Sequence, residues 1–230
     1  MYKKYIIRME DNVRRVRKKS SINIINVKTI ILEHINNNLK DYIILILFFI
    51  VGIILGVIFI NNSNDLQTEQ ITEYIKGIIN SLKEGYEINS LNMLKSSMLD
   101  NIKFTLILWF AGSTVIGMPF VYGIICYRGF CIGYTSSSAI AVLGIQKGST
   151  FLLSSLLIQN IIFIPCMLAL GVSGLKLYRS IMKDKRKENI KIEIYRHTFF
   201  SLLMLIGLLI SSVLETYISG NLFTYIINYL

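Results

Sequence analysis

The chain has 230 residues, 53% of them hydrophobic and only 17% charged, with a mean hydropathy of +0.55 and a formal net charge of +10. Long apolar blocks parted by short charged segments exclude an ordinary soluble domain and point to a polytopic membrane protein. The basic charge gives little support to nucleic acid as a partner, because ten of the 24 basic residues precede Asp41 and eight lie between Lys176 and Arg196, both clusters abutting apolar blocks. Anionic lipid headgroups are the nearer partner.

In chain order, residues 1–41 form a basic tail with Lys3, Lys4, Arg8 and the run Arg14, Arg15, Arg17, Lys18 and Lys19. The positive-inside bias makes it a cytoplasmic tail. Ile24, Val27, Ile31 and Ile35 recur at helical spacing and predict an amphipathic lead-in on the membrane surface. No cleavable signal peptide is expected, since the first apolar run begins only at Tyr42. Residues 42–60 carry no charge and would make about 28 Å of helix, a first span. Within it Gly52 and Gly56 form a GxxxG pair. This reads either as a close helix contact or as background glycine, and the spacing alone does not choose.

Residues 61–103 are the sizeable polar region outside the tail. Ile71, Tyr74, Ile75, Ile78, Ile79 and Leu82 repeat on one helical face, and Ile88, Leu91, Leu94 and Met98 do so again after Gly85. Two amphipathic helices joined at 83–85 are expected, an extracytoplasmic hairpin. Its face at Ile71, Tyr74, Ile75, Ile78 and Ile79 is the candidate docking surface.

Residues 104–126 predict a second span, kinked at Pro119, whose missing N–H frees a carbonyl one turn earlier. Arg128-Gly129 then predicts a tight reversal into a short third span, 130–143. Gly129, Gly133, Ser137 and Ala141 fall every four residues on one face and mark a helix-packing seam. Residues 151–175 predict a fourth span, 176–197 a basic cytoplasmic loop, 198–218 a fifth span and 219–230 an extracytoplasmic tail. Charge parity supports the short third span: an even number of spans must separate the two basic, cytoplasmic segments. The expected fold is therefore an all-α bundle of five transmembrane helices, N-terminus inside and C-terminus outside.

Chemistry is sparse. Cys126, Cys131 and Cys166 show no CxxC spacing, so no disulfide framework, zinc site or other cofactor is expected. His34 and His197 stand at span edges without partners at ligand spacing, and neither a P-loop nor a dinucleotide fingerprint is present. The run Ser136-Ser137-Ser138 lacks a partner base and suits interhelical packing. Gln159 and Asn160 are amides at membrane depth and Glu215 is an acid near the end of the last span. Together with Arg128, read as sitting at the cytoplasmic turn, the two amides are the candidate intramembrane polar contacts. These groups are interhelical glue on one reading and a transport path on the other, that of a transporter or permease subunit.

At Trp109, Gly112, Val115-Ile116-Gly117, Pro119, Arg128-Gly129, Gly133 and Gly144, and at Gln159-Asn160 followed by Pro165, the sequence resembles the stage II sporulation protein M family. The likeness covers roughly 39–218. Some members of the wider family carry a glutamate shortly before the fourth-span proline, where Phe163 stands here. The resemblance implies a non-enzymatic membrane scaffold for forespore engulfment, expected at the sporulation septum and the engulfing plasma membrane. Its implied partners are membrane-anchored, peptidoglycan-degrading enzymes, stage II sporulation proteins D and P, and it leaves room for a homo-oligomer.

Overall fold

A computed structural model describes residues 35–83, 89–114, 117–153, Leu156, 158–183 and 187–219. The chain divides into two units, 1–39 and 40–230, and the helices described here belong almost wholly to the second. Among the described residues there is no strand. The helices are α1 (Leu39–Asn61), α2 (Asp65–Lys83), α3 (Ser90–Ser113), α4 (Gly117–Leu152), α5 (Ile158–Lys183) and α6 (Lys187–Leu214), the last running into a π-helical turn, Glu215–Ser219. Among the described residues, three stretches are long and apolar enough to cross a membrane: Leu39–Asn61, Gln159–Met182 and Ile190–Ile218.

Local chemistry sets several of these ends. Asn89 caps α3, its side-chain oxygen accepting the Asn92 N–H at 3.2 Å. At the other end the Thr114 N–H and hydroxyl both reach the Ala111 carbonyl, at 3.3 and 3.0 Å, and the Gly117 N–H bonds Thr114 at 3.0 Å. A side chain at Gly117 would collide with the Ala111 carbonyl oxygen, so this corner requires glycine. Within α4, Gly144 has φ 79° and ψ 168°, and no neighbouring atom would meet a side chain there. That glycine is a conformational break, and beyond it Gly148 packs back against Ala139 and Ile140.

Several boundaries differ from the sequence reading. The expected second and third spans, 104–126 and 130–143, are divided elsewhere. The break falls after Ser113, and Arg128 and Gly129 lie in the middle of α4 rather than at a reversal. Pro119 does not kink a span interior. It occupies the first turn of α4, where a missing N–H costs nothing, and it is exposed. The second amphipathic helix of the expected hairpin is the N-terminal half of α3, continuous with the apolar half. The fourth apolar run is helical from Ile158 to Lys183, with Pro165 inside it. The amphipathic lead-in (except residues 35–39), most of the 83–85 joint and nearly all of the 219–230 tail lie outside the described residues.

Cross-helix contacts fix directions. Asp41 on α1 pairs with Arg179 on α5, and Arg128 on α4 sits over Phe163 of α5, so both helices run against α5. Gly52 faces Cys126 while Gly56 faces Phe130 and Tyr134, so α1 and α4 run parallel. Gly112 against Gly174, with Phe104 on Phe163 at 5.4 Å between centroids, makes α3 parallel to α5. Ser173 to His197 and Ser211 to Gln159 make α6 antiparallel to α5. The five long helices thus alternate in direction along the chain. All five supply the core, in which Leu45, Leu108, Val121, Ile125, Phe163, Met167, Leu170 and Leu208 are fully buried or nearly so. Around that core, large side chains such as Leu47, Ile54, Phe110, Phe199 and Ile206 stand exposed. An apolar exterior over an apolar interior is the pattern of a helix bundle solvated by lipid.

Candidate functional site

In lipid, apolar contact between helices gains little, because acyl chains are as apolar as leucine. Close backbone approach and interhelical hydrogen bonds then carry more of the specificity. Both are present. On α1, a side chain at Gly52 would strike the Cys126 carbonyl and one at Gly56 the Phe130 carbonyl. On α4, Gly129 and Gly133 meet the carbonyls of Phe49 and Ile53. The GxxxG pair and the first half of the four-residue stripe are therefore the two sides of one seam. Aromatic rings flank it, Phe48 on Tyr122 at 4.7 Å and Phe59 on Phe130 at 5.8 Å. Farther along the stripe, Ser137 is half-buried and Ala141 exposed, because the helix face turns away and Ser138 and Ala139 take the buried positions. A second close approach joins α3 to α5 at Gly112 and Gly174.

Two polar clusters tie the helices at different heights. In one, buried His197 bonds Ser173 at 2.9 Å, and the Trp109 indole N–H donates to the Thr198 hydroxyl at 3.1 Å. At the opposite end of α6, Glu215 accepts a hydrogen bond from Ser97 and another from the Gln159 amide at 2.7 Å. Asn101 donates to the Leu208 carbonyl at 2.9 Å and to Ser212 at 2.7 Å, and Ser211 donates to the Gln159 carbonyl at 3.0 Å. Below this cluster Arg128 lays its guanidinium over the Phe163 ring, 4.3 Å from the centroid, and its Nε has no hydrogen-bond partner. Arg128 therefore serves as a cation inside the bundle, held by a ring face, and not as a charge marking a turn.

The other candidates separate. Gln159 faces α3 and α6, whereas the Asn160 amide donates to the Leu156 carbonyl four residues back, 2.8 Å away, and Asn160 lines a groove with Ser136 on the side of α1 and α4. Gln159 is not among the residues that line this groove. On α2, Ile75 and Ile79 are buried against Val142, Leu143 and Phe151, with Ile71 beside them, so most of the expected docking face is already occupied within the chain. Tyr74 is 71% exposed and Ile78 36%. The sequence reading missed Ser97, Asn101 and Ser212 altogether.

An alternating bundle with large apolar side chains exposed and interhelical hydrogen bonds at its seams defines a helical membrane protein. The family model for Stage II sporulation protein M matches residues 45–220, and the chain belongs to that family, one of sporulation-related membrane proteins. No match is found among curated proteins or among solved structures.

Proposed function

We propose that this protein is a non-enzymatic membrane scaffold for forespore engulfment, positioning peptidoglycan-degrading enzymes (stage II sporulation proteins D and P) at the septal membrane. Family membership is the observation that carries this reading. The geometry supports it through a core of buried apolar side chains drawn from five helices and through Gln159, which donates to Glu215 and does not line the groove that Ser136 and Asn160 share.

In this reading α1, α3, α4, α5 and α6 all cross the bilayer, with the N-terminus cytoplasmic and the C-terminus outside. The basic segments also satisfy parity if only α1, α5 and α6 cross. The alternating directions favour five, as does the seam of α4 with α1, which lies near the middle of the α1 span. The region 61–89 is then extracytoplasmic, and the surface left for hydrolases on α2 comprises Leu66, Tyr74 and Ile78.

The reading is tested with peptidoglycan. Purified protein alone is expected to release no soluble wall fragments. Release by a preparation free of co-purifying hydrolases would overturn it.

A further inference from the structure

Outside the bundle core lies a second, smaller apolar cluster. Ile75 and Ile79 of α2 are its buried members, and Ile71, Val142, Leu143 and Phe151 pack against them. Of its α4 residues, Val142 and Leu143 precede Gly144 and Phe151 follows it. In an unbroken helix Phe151 would stand about 12 Å along the axis from Leu143, whereas Ile75 and Ile79 are about 6 Å apart, one turn of α2. The same two isoleucines meet both sides of the break because Gly144 bends the chain back. Its φ of 79° and ψ of 168° lie where glycine alone is unstrained, and Gly148 returns to lie against the backbone of Ala139 and Ile140. No atom lies within 4 Å of where a side chain at Gly144 would begin, so no neighbour packs against the break itself. Residues 62–64 alone join α2 to α1, and neither isoleucine belongs to the bundle core.

We infer that α2 and residues 145–152 form a latch that opens and closes as one unit, with Gly144 as its hinge. Each piece completes the other's seat. Folding 145–152 back brings Phe151 to the isoleucines, and α2 in place covers Phe151 together with Val142 and Leu143. Displacing either piece leaves the other with apolar side chains uncovered, a cost that makes the two movements cooperative. Glycine reaches the bent conformation and a helical one alike, so this position can swing where any other residue would be strained in one of them. The bundle core is a separate cluster and does not move with the latch. The latch is a property of the fold and does not depend on which enzymes the protein positions.

Hydrogen–deuterium exchange of the full chain in detergent, read by mass spectrometry, tests this. In the parent, amides in 71–82 and in 145–152 should show protection of one size, lower than that of the α5 core. Ile75→Asp with Ile79→Asp releases α2 and should speed exchange in 145–152 as well, by about tenfold or more. Gly148→Ala puts a carbon less than 3 Å from the Ala139 carbonyl and the Ile140 backbone, and should speed exchange in 71–82 to the same extent. Gly144→Ala strains the hinge and should do likewise, which keeps the test if Gly148→Ala does not fold. Residues 136–143, before the hinge, and 163–175 of α5 should keep the parent's rates in every variant, showing that the bundle is intact. Three results would each overturn the latch: slow exchange kept in 145–152 after α2 is released, slow exchange kept in 71–82 in both glycine variants, or a loss of protection that runs through Gly144 into 136–143.

Discussion

At the residue scale, what surrounds a glycine decides what replacing it does. Gly133 lies against the Ile53 backbone, and Gly123, one helix face away, has no atom within 4 Å of where a side chain would begin. Gly133→Leu should therefore destabilise the bundle by roughly 1–3 kcal/mol, the scale of overpacking, while Gly123→Ala leaves stability unchanged or slightly higher. Thermal unfolding of both variants in one detergent checks the pair. Gln159→Leu removes one of the donors on Glu215 and should cost at most about 1–3 kcal/mol, by the same measurement. Arg128 shows what was legible and overlooked. It falls three and seven residues after Ile125 and Val121, both fully buried, so helical phase alone places it on the inward face of an uninterrupted helix. Reading Arg128-Gly129 as a turn hid that phase. Ser97, Asn101, Thr105, Leu108 and Gly112 likewise form one stripe along α3, and polar residues at its head mask its register. That Arg128 would rest on a phenyl ring was not legible, because nothing local in the sequence relates position 128 to position 163.

At the element scale, periodicity found the amphipathic face of α2 and could not say what covers it. The helix buries Ile75 and Ile79 against the end of α4, a contact created by the break at Gly144, whose φ of 79° no pattern of hydrophobicity encodes. Two substitution pairs separate the roles. Ile75→Asp with Ile79→Asp should detach α2, exposing protease-sensitive backbone between 61 and 89 and lowering the unfolding temperature. Tyr74→Asp with Ile78→Asp should leave both the protease pattern and the unfolding temperature near those of the parent. The apolar cores of α1, α5 and α6 were legible as uninterrupted blocks, whereas the helical ends of α5 and α6, to Lys183 and from Lys187, lie within the basic segment 176–197 that was expected to be a loop. The boundary between α3 and α4 was not, since Thr114 and Gly117 end and restart helices through backbone bonds that composition does not reveal.

For the whole molecule, the crossing count and the scaffold role can be examined separately. In a variant lacking Cys126, Cys131 and Cys166, single cysteines at Asn62 and Gln146 should react with an impermeant maleimide in intact cells. Those at Thr114 and Tyr195 should react only after permeabilisation. Thr114 decides between three and five crossings, because it turns outward if α3 and α4 do not span, and labelling there in intact cells would remove two spans. The central claim is that the protein holds wall hydrolases without being one, through the face of α2 that the bundle leaves uncovered. The most direct measurement is affinity isolation from sporulating cells in mild detergent, comparing the parent with the Tyr74→Asp, Ile78→Asp pair at equal membrane levels. The account predicts that stage II sporulation proteins D and P accompany the parent and are lost from the variant. Their absence from the parent, or equal recovery with both, would contradict it.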